Sequence, residues 1–494
     1  DAWRIFPKLP DRNEFSWTSL LHAFIDSGEE NHAFNLYEQM KEENITPSKF
    51  TFPTLINACA VTPLEHKHSG LSIHTDIIKE GYEGDLFICN ALVDMYAKWG
   101  ALIEAQEVLD EMLVRDQVSW TSLMTGYMDN GFVDEALVSL EHMKLEGASP
   151  DEITYASCVR ACNSVGYIEQ GQCLHVEITI KGLEKDIFIG NTLVDMYACN
   201  GMLVDAQVLF DELPVQTVIA WTSLIDGYVE HGYQDKALNC FEKMRSRGVN
   251  ADSITYVCGL KACSDFSSLG IGQEIHKDAC IEGFDRDVFI SSTLVDMYAK
   301  SGLMADARDV FDDLSVQDVV SWTALISGYV EHGFNLEALK TFKEMRMEEV
   351  NPNLITYICC LKACSNLQSL DEGLIIHAEV VKEGIEVDLF IGNTLVDLYA
   401  KCGSFIEAQD VFDELPFQDI VSLNVLISGF AEQGFGKEAL LVYMQMQEKG
   451  ISPDIATFAS ILKACGSIGA IDKGKQIHAE IVNESSLEED ISIG

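Results

Sequence analysis

The sequence predicts an all-α fold: an α-solenoid, a right-handed superhelix of about fourteen helix-turn-helix repeats. Two observations carry that expectation. The chain repeats itself at a shift of 101 residues: LVDMYAKWG begins at Leu92, LVDMYACNG at Leu193, LVDMYAKSG at Leu294 and LVDLYAKCG at Leu395. Each unit also divides into three related pieces, such as 117–151, 152–186 and 187–217. All three carry glycine fifteenth (Gly131, Gly166, Gly201) and two apolar stripes of helical period.

In the first piece Trp120, Leu123, Met124 and Tyr127 stand at i, i+3, i+4 and i+7, one face of a helix that Gly131 ends in a turn. Asp134 is placed to cap a second helix. Ala136, Leu137, Leu140 and Met143 form its buried face, and Gly147 and Pro150 stop it. The 31-residue piece repeats the first stripe at Leu193, Val194 and Tyr197, and the second at Ala206, Leu209, Phe210 and Leu213. One hairpin cannot bury both stripes; stacking on the next hairpin does. Fourteen hairpins are expected from Glu14 to about Asp490, as one solenoid over 14–490. Residues 1–13 read as the tail of a truncated short repeat and 491–494 as the start of another. Trp17 lies 103 residues before Trp120, because two extra residues fall around Pro63–Lys67.

The chain has 494 residues with 33 Lys+Arg against 79 Asp+Glu, a net charge of −46; 47% of it is apolar and 23% charged. That is globular rather than disordered composition. No apolar run reaches the roughly 18 residues of a membrane-spanning helix. The fifteen cysteines include no CxxC and read as reduced thiols packing as small apolar residues. The start at Asp1, without Met or a basic leader, reads as a cut end.

VSWTSLMTGYMDNGFVDEALVSLEHMKLEGASPD at Val118–Asp151 resembles a pentatricopeptide repeat (PPR). The piece at 152–186, with Ala161-Cys162 and Gly171-Gln172 before His175, resembles the long repeat type of that family, and the piece at 187–217 the short type. The cycle of 35, 35 and 31 residues resembles the plant-like PLS class. The resemblance implies binding of single-stranded organellar RNA, in mitochondrion or plastid, one base per repeat, with roles in RNA editing, processing or stability. RNA-editing or processing proteins are then partners. Apart from the name, a regular hairpin stack presents the same positions at a constant rise, and a single RNA strand repeats likewise.

By the resemblance, two residues per repeat choose the base. In the first-type repeats they are Thr18 with Ser48, Thr121 with Asp151, Thr222 with Asp252, Thr323 with Asn353, and Asn424 with Asp454. In the short repeats they are Asn90 with Asp116, Asn191 with Thr217, Ser292 with Asp318, and Asn393 with Asp419. Thr or Ser with Asp implies guanine, Thr or Ser with Asn adenine, and Asn with Asp uracil. The long repeats carry Pro53, Ala156, Val257, Ile358 and Ala459 at the first of these places and imply no code. The carried-over order along the chain is N-N-U-G-N-Y-G-N-G-A-N-U-U-N. The second residue of each repeat packs on the base by the same resemblance: Phe15, Val118, Ile219, Val320 and Val421, with Phe87, Phe188, Phe289 and Phe390 in the short type. The alternative is that these side chains seal one hairpin against the next. Lys98, Lys300 and Lys401 occupy the family's phosphate-contacting place, where Cys199 breaks the series.

Charge opposes this reading, since nucleic-acid binding draws on Lys and Arg. Asp26, Asp129, Glu230, Glu331 and Glu432 stand in first-type repeats where long repeats have Arg160, Lys261, Lys362 and Lys463. An α-solenoid that binds a basic protein partner without RNA recognition is the competing function. His74, His175, His276, His377 and His478 lie too far apart for one metal ion and read as packing residues, as do Cys59, Cys162, Cys263, Cys364 and Cys465. His175-Val-Glu177 lacks the P-C-x-x-C half of a deaminase site, and no P-loop or G-x-S-x-G occurs. No enzymatic site, cofactor, metal or small-molecule substrate is expected.

Overall fold

The computed structural model describes residues 6, 12–61, 63–263, 268–284, 286–385 and 388–483. The proposed repeat fragments at 1–13 and 491–494 lie almost wholly outside the described residues. Within them are 28 helices, from Glu14–Asp26 to Ile471–Asn483, which pair into fourteen antiparallel hairpins. The hairpins fall into two compact units, Asp1–Asn250 and Ala251–Gly494, with seven in each.

Local chemistry explains each hairpin. Asp116 caps the helix Gln117–Asp129 by accepting from the Ser119 amide at 2.9 Å, in a capping box. Gly131, at φ +81°, turns the chain into the second helix, Val133–Leu145. That helix begins at Val133 after Phe132 without a side-chain cap, so Asp134 is not its cap. It lies in the first turn instead, where its charge still suits the helix N-terminus. Near the two extra residues the first helix, Thr51–Val61, is shorter than its counterpart Glu152–Val165 and the second, Pro63–Glu80, is longer than Ile168–Ile180, with proline at its first position.

Within each unit, first helices stack on first helices. Trp17, Trp120, Trp221 and Trp322 are buried, and Leu423 takes the same place without exposure. The Phe210 and Trp221 rings meet edge-on at 4.5 Å, as do Phe311 and Trp322 at 4.6 Å. Where a short hairpin meets the next first-type hairpin, the backbones come close: a Cβ at Gly126 would stand inside the Ala97 methyl. Four of the five recurring histidines pack between hairpins; His478, on the last described helix, is exposed, so the packing expected of it is not found there. Nδ1 of His74, His175, His276 and His377 lies 2.6–3.0 Å from the hydroxyl of Tyr96, Tyr197, Tyr298 and Tyr399 respectively. The repeated cysteines Cys59, Cys162, Cys263, Cys364 and Cys465 are buried free thiols. No group of three metal-ligating side chains occurs among the described residues, and none of their helices is long and apolar enough to cross a membrane.

Candidate nucleic-acid interface

The N-cap of each first helix sets a frame. Two residues past the cap, the side chain points outward. All nine expected packing residues are exposed, from 46% for Phe188 to 77% for Phe289. Phe15, Phe87, Val118, Ile219, Val320, Phe390 and Val421 fall between those limits. They do not seal one hairpin against the next, and that alternative is set aside. The same place in the long hairpins is also apolar and exposed: Phe50, Ile153, Ile254 and Ile355 at 56–63%. The resemblance was not carried to these four, and their fixed place in the repeat is the sequence signal that marks them.

Five residues past the cap stands the first of the two residues expected to read a base, and the second is the cap of the following hairpin. Asp116, Asp151, Thr217, Asp252, Asp318, Asn353, Asp419 and Asp454 all cap a helix with their side chains. Their polarity therefore has a local cause besides any ligand.

The fold brings several pairs into contact. Asn90 Nδ2 donates to Asp116 Oδ1 at 3.1 Å, and Asn424 Nδ2 donates to both Asp454 oxygens at 3.0 Å. Thr217 Oγ1 donates to Asn191 Oδ1 at 3.1 Å, and Ser292 Oγ lies 3.5 Å from Asp318 Oδ1. Threonine pairs meet through a third residue. Thr121 Oγ1 is 3.0 Å from Thr154 Oγ1, which donates to Asp151 Oδ1 at 2.7 Å. Thr323, Thr356 and Asn353 repeat that relay, with Thr323 and Thr356 2.7 Å apart. Thr18 likewise lies 2.8 Å from Thr51, whose hydroxyl is 3.3 Å from that of Ser48. Thr222 returns its hydroxyl to the Val218 carbonyl at 2.9 Å. Asn393 differs: its Oδ1 is buried without a hydrogen-bond partner, while Asp419 is engaged by the Ser422 amide at 2.8 Å. Burial works to raise the Asp116 and Asp454 carboxyls; hydrogen bonds from Ser119 and Asn90, and from Thr457 and Asn424, outweigh it and hold both below the ordinary carboxylate value.

The lysines expected at phosphate are each engaged within their own helix. Lys98, Lys300 and Lys401 pair with Asp94, Asp296 and Asp397 at 2.8–2.9 Å. In the opposing columns, Glu432 lies 4.0 Å from Lys463, so part of the acidic column faces cations of the next hairpin. In the first unit a cavity of about 580 Å³ opens between successive first helices, lined among others by His22, Asp26, Lys49, Phe50, Asn57 and Phe87.

A PPR repeat family model matches residues 12–61, 115–164, 216–265, 317–366 and 418–467, and a PPR repeat model matches 87–116, 191–216, 289–319 and 393–419. An Arabidopsis thaliana pentatricopeptide repeat-containing protein named as chloroplastic is 34% identical over 98% of the chain and 78% of its own length. Another from that plant, named as mitochondrial, is 32% identical over 99% of the chain and 63% of its own length. A third, also from Arabidopsis, is 33% identical, and the chain spans 55% of its length. Among solved structures, maize PPR10 is similar with a TM-score of 0.65 and 21% identity, covering 98% of this chain and 75% of that one. PPR10 in complex with an 18-nt psaJ RNA element is similar with a TM-score of 0.64 and 20% identity, covering 99% and 82%. At that identity the likeness concerns the fold.

Proposed function

The chain belongs to the pentatricopeptide repeat family, and from that premise we propose that it binds single-stranded RNA, one base per hairpin. Its place is the recognition part of an RNA editing, processing or stability factor in a mitochondrion or plastid, and the 35, 35, 31 cycle supports the PLS class. One observation carries the reading: thirteen exposed apolar side chains stand at one offset from the cap, among them Phe15, Phe87, Phe289 and Phe390. Exposed aromatic and branched faces at a constant interval suit successive bases, because every base has an apolar face to stack. The complex of the similar protein PPR10 with RNA supports the same assignment.

The mechanism is positional. A base lies between the apolar side chains of neighbouring hairpins while its Watson–Crick edge meets the reading pair. Where Asn90 and Asp116 already join, the amide and carboxylate are held in fixed relative orientation, so little freedom is lost on binding. Lys98, Lys300 and Lys401 exchange an internal carboxylate for phosphate. The long hairpins, apolar at the reading place, hold a base without choosing it. The role is recognition rather than catalysis.

The net charge of −46 favours a second reading, a solenoid that binds a basic partner without RNA. Titrating the chain with the carried-over RNA, a scrambled RNA and poly-Lys at low and moderate salt separates the two. Preference for the carried-over RNA supports the first, and binding of poly-Lys alone supports the second.

A further inference from the structure

The second helices of the four short hairpins, Leu102–Glu111, Leu203–Glu212, Met304–Asp312 and Phe405–Glu414, carry a pattern that RNA recognition leaves unused. Their second, sixth and ninth residues share one helical face. The second residue is Ile103, Val204 or Ile406, at 74–77% exposure, with Ala305 in the remaining case. Acids follow on the same face: Glu107 and Asp110, Asp309 and Asp312, Asp410 and Asp413, all exposed. In the remaining helix Val208 precedes Asp211. Just past each helix a second apolar residue is exposed: Val114, Val215, Val316 or Phe417, at 54–67%.

That last residue is held in place. The next side chain reaches back to the helix end in every case. Arg115 Nε donates to the Leu109 carbonyl at 2.7 Å, and Gln216, Gln317 and Gln418 donate to the carbonyls of Phe210, Phe311 and Phe412 at 3.1–3.2 Å. The corresponding faces of first-type second helices keep no common chemistry, reading Asp235, Asn239, Glu242 in one and Leu336, Lys340, Lys343 in another. Three of the four short second helices contain no Lys or Arg, and Arg308 in the fourth is bound to Asp312 and Glu344 at 2.9 Å.

We propose that these outer stripes dock an amphipathic helix of a protein partner whose contact face reads apolar, basic, basic, apolar. Apolar ends supply buried area, while the acids between them fix register and reject acidic segments. The stripes lie on second helices, whereas RNA is assigned to first helices, so both ligands can be held together.

The test uses the full chain and a synthetic helical peptide with Leu at both ends of one face and Lys at the two places between. Saturable binding is expected by fluorescence anisotropy, weakened at least about tenfold by exchanging Ile103, Val204, Ile406 and Phe417 for Ser. A second variant, Asp410→Asn with Asp413→Asn, should weaken it while leaving every apolar group in place. Helical circular dichroism and RNA affinity should not change in either. Equal binding of a peptide with Glu for Lys, or undiminished binding to both variants, would overturn the proposal. A wild-type dimer in sedimentation that the Ser variant abolishes would give the stripe to a second copy of this chain, and would also overturn it.

Discussion

The Asn90 carboxamide hydrogen-bonds Asp116 across 26 residues of chain, at 3.1 Å, and Asp116 at the same time caps the next helix. One carboxylate thus joins the two residues assigned to a base and starts the following hairpin. Asp116→Ala should lose both roles, destabilising the fold by about 1 kcal/mol. Asp116→Asn keeps an accepting cap oxygen and should lose much less, since Asn and Asp cap helices about equally well. Denaturant midpoints of the two variants check this; equal losses would remove the capping role.

The exposed ladder should behave as a ligand surface. Phe87→Ala and Phe289→Ala should each change stability by less than about 0.5 kcal/mol, since both side chains are mostly exposed. Each should weaken RNA binding by roughly 1–3 kcal/mol, the range for base–aromatic stacking. Phe50→Ala, in a long hairpin, should weaken binding without altering sequence preference. Parallel unfolding and RNA titrations read both effects.

Because Lys98 is already paired with Asp94, the charge available for phosphate is restrained. Asp94→Asn should strengthen RNA binding, and Lys98→Ala should weaken it. The logarithmic salt slope should fall by about 0.7 in the lysine variant, the value for one phosphate contact on a single strand. Titrations across salt concentration measure that slope directly.

Stability should fall on mild acidification. Burial is the largest influence on His74, His175 and His276, and it lowers each below the ordinary 6.5. The unfolded chain then binds protons that the folded chain refuses. The stabilisation is complete above about pH 6.5 and is lost as pH falls from there through the folded values. The melting temperature should drop as pH falls below about 6.5, and less steeply in His175→Gln, which still reaches the Tyr197 hydroxyl without titrating. A pH-independent melting temperature over that window would contradict it.

The hairpins were legible because their causes are local and repeated fourteen times. The stripe of Trp120, Leu123 and Met124, the turn at Gly131 and the packing histidines all follow from periodicity. Other features depend on what lies across a seam. The last residue of each repeat, which the resemblance ties to base choice, has a second reason to be polar: Asp151 and Asn353 also cap helices, so polarity there is required without a ligand. The relay through Thr154 and Thr356 was hidden because neither side chain belongs to the assigned pair. Lys98 was placed by the resemblance alone, which does not show that Asp94, one turn earlier, holds its ammonium at 2.8 Å. The column of Phe87 and Val118 was ambiguous between seam and surface, and its exposure places it on the surface.

The central claim is that each reading pair selects one base, and Asn353→Asp tests it most directly. Both residues accept from the Thr356 amide, now at 2.9 Å, so the helix keeps its cap. RNA selection from a random pool on the wild-type chain should enrich U-G-N-Y-G-N-G-A-N-U-U. In the variant, adenine opposite Thr323 should change to guanine, with every other position and the stability unaltered. An enriched pattern unrelated to this order, or adenine retained in the variant, would contradict the account.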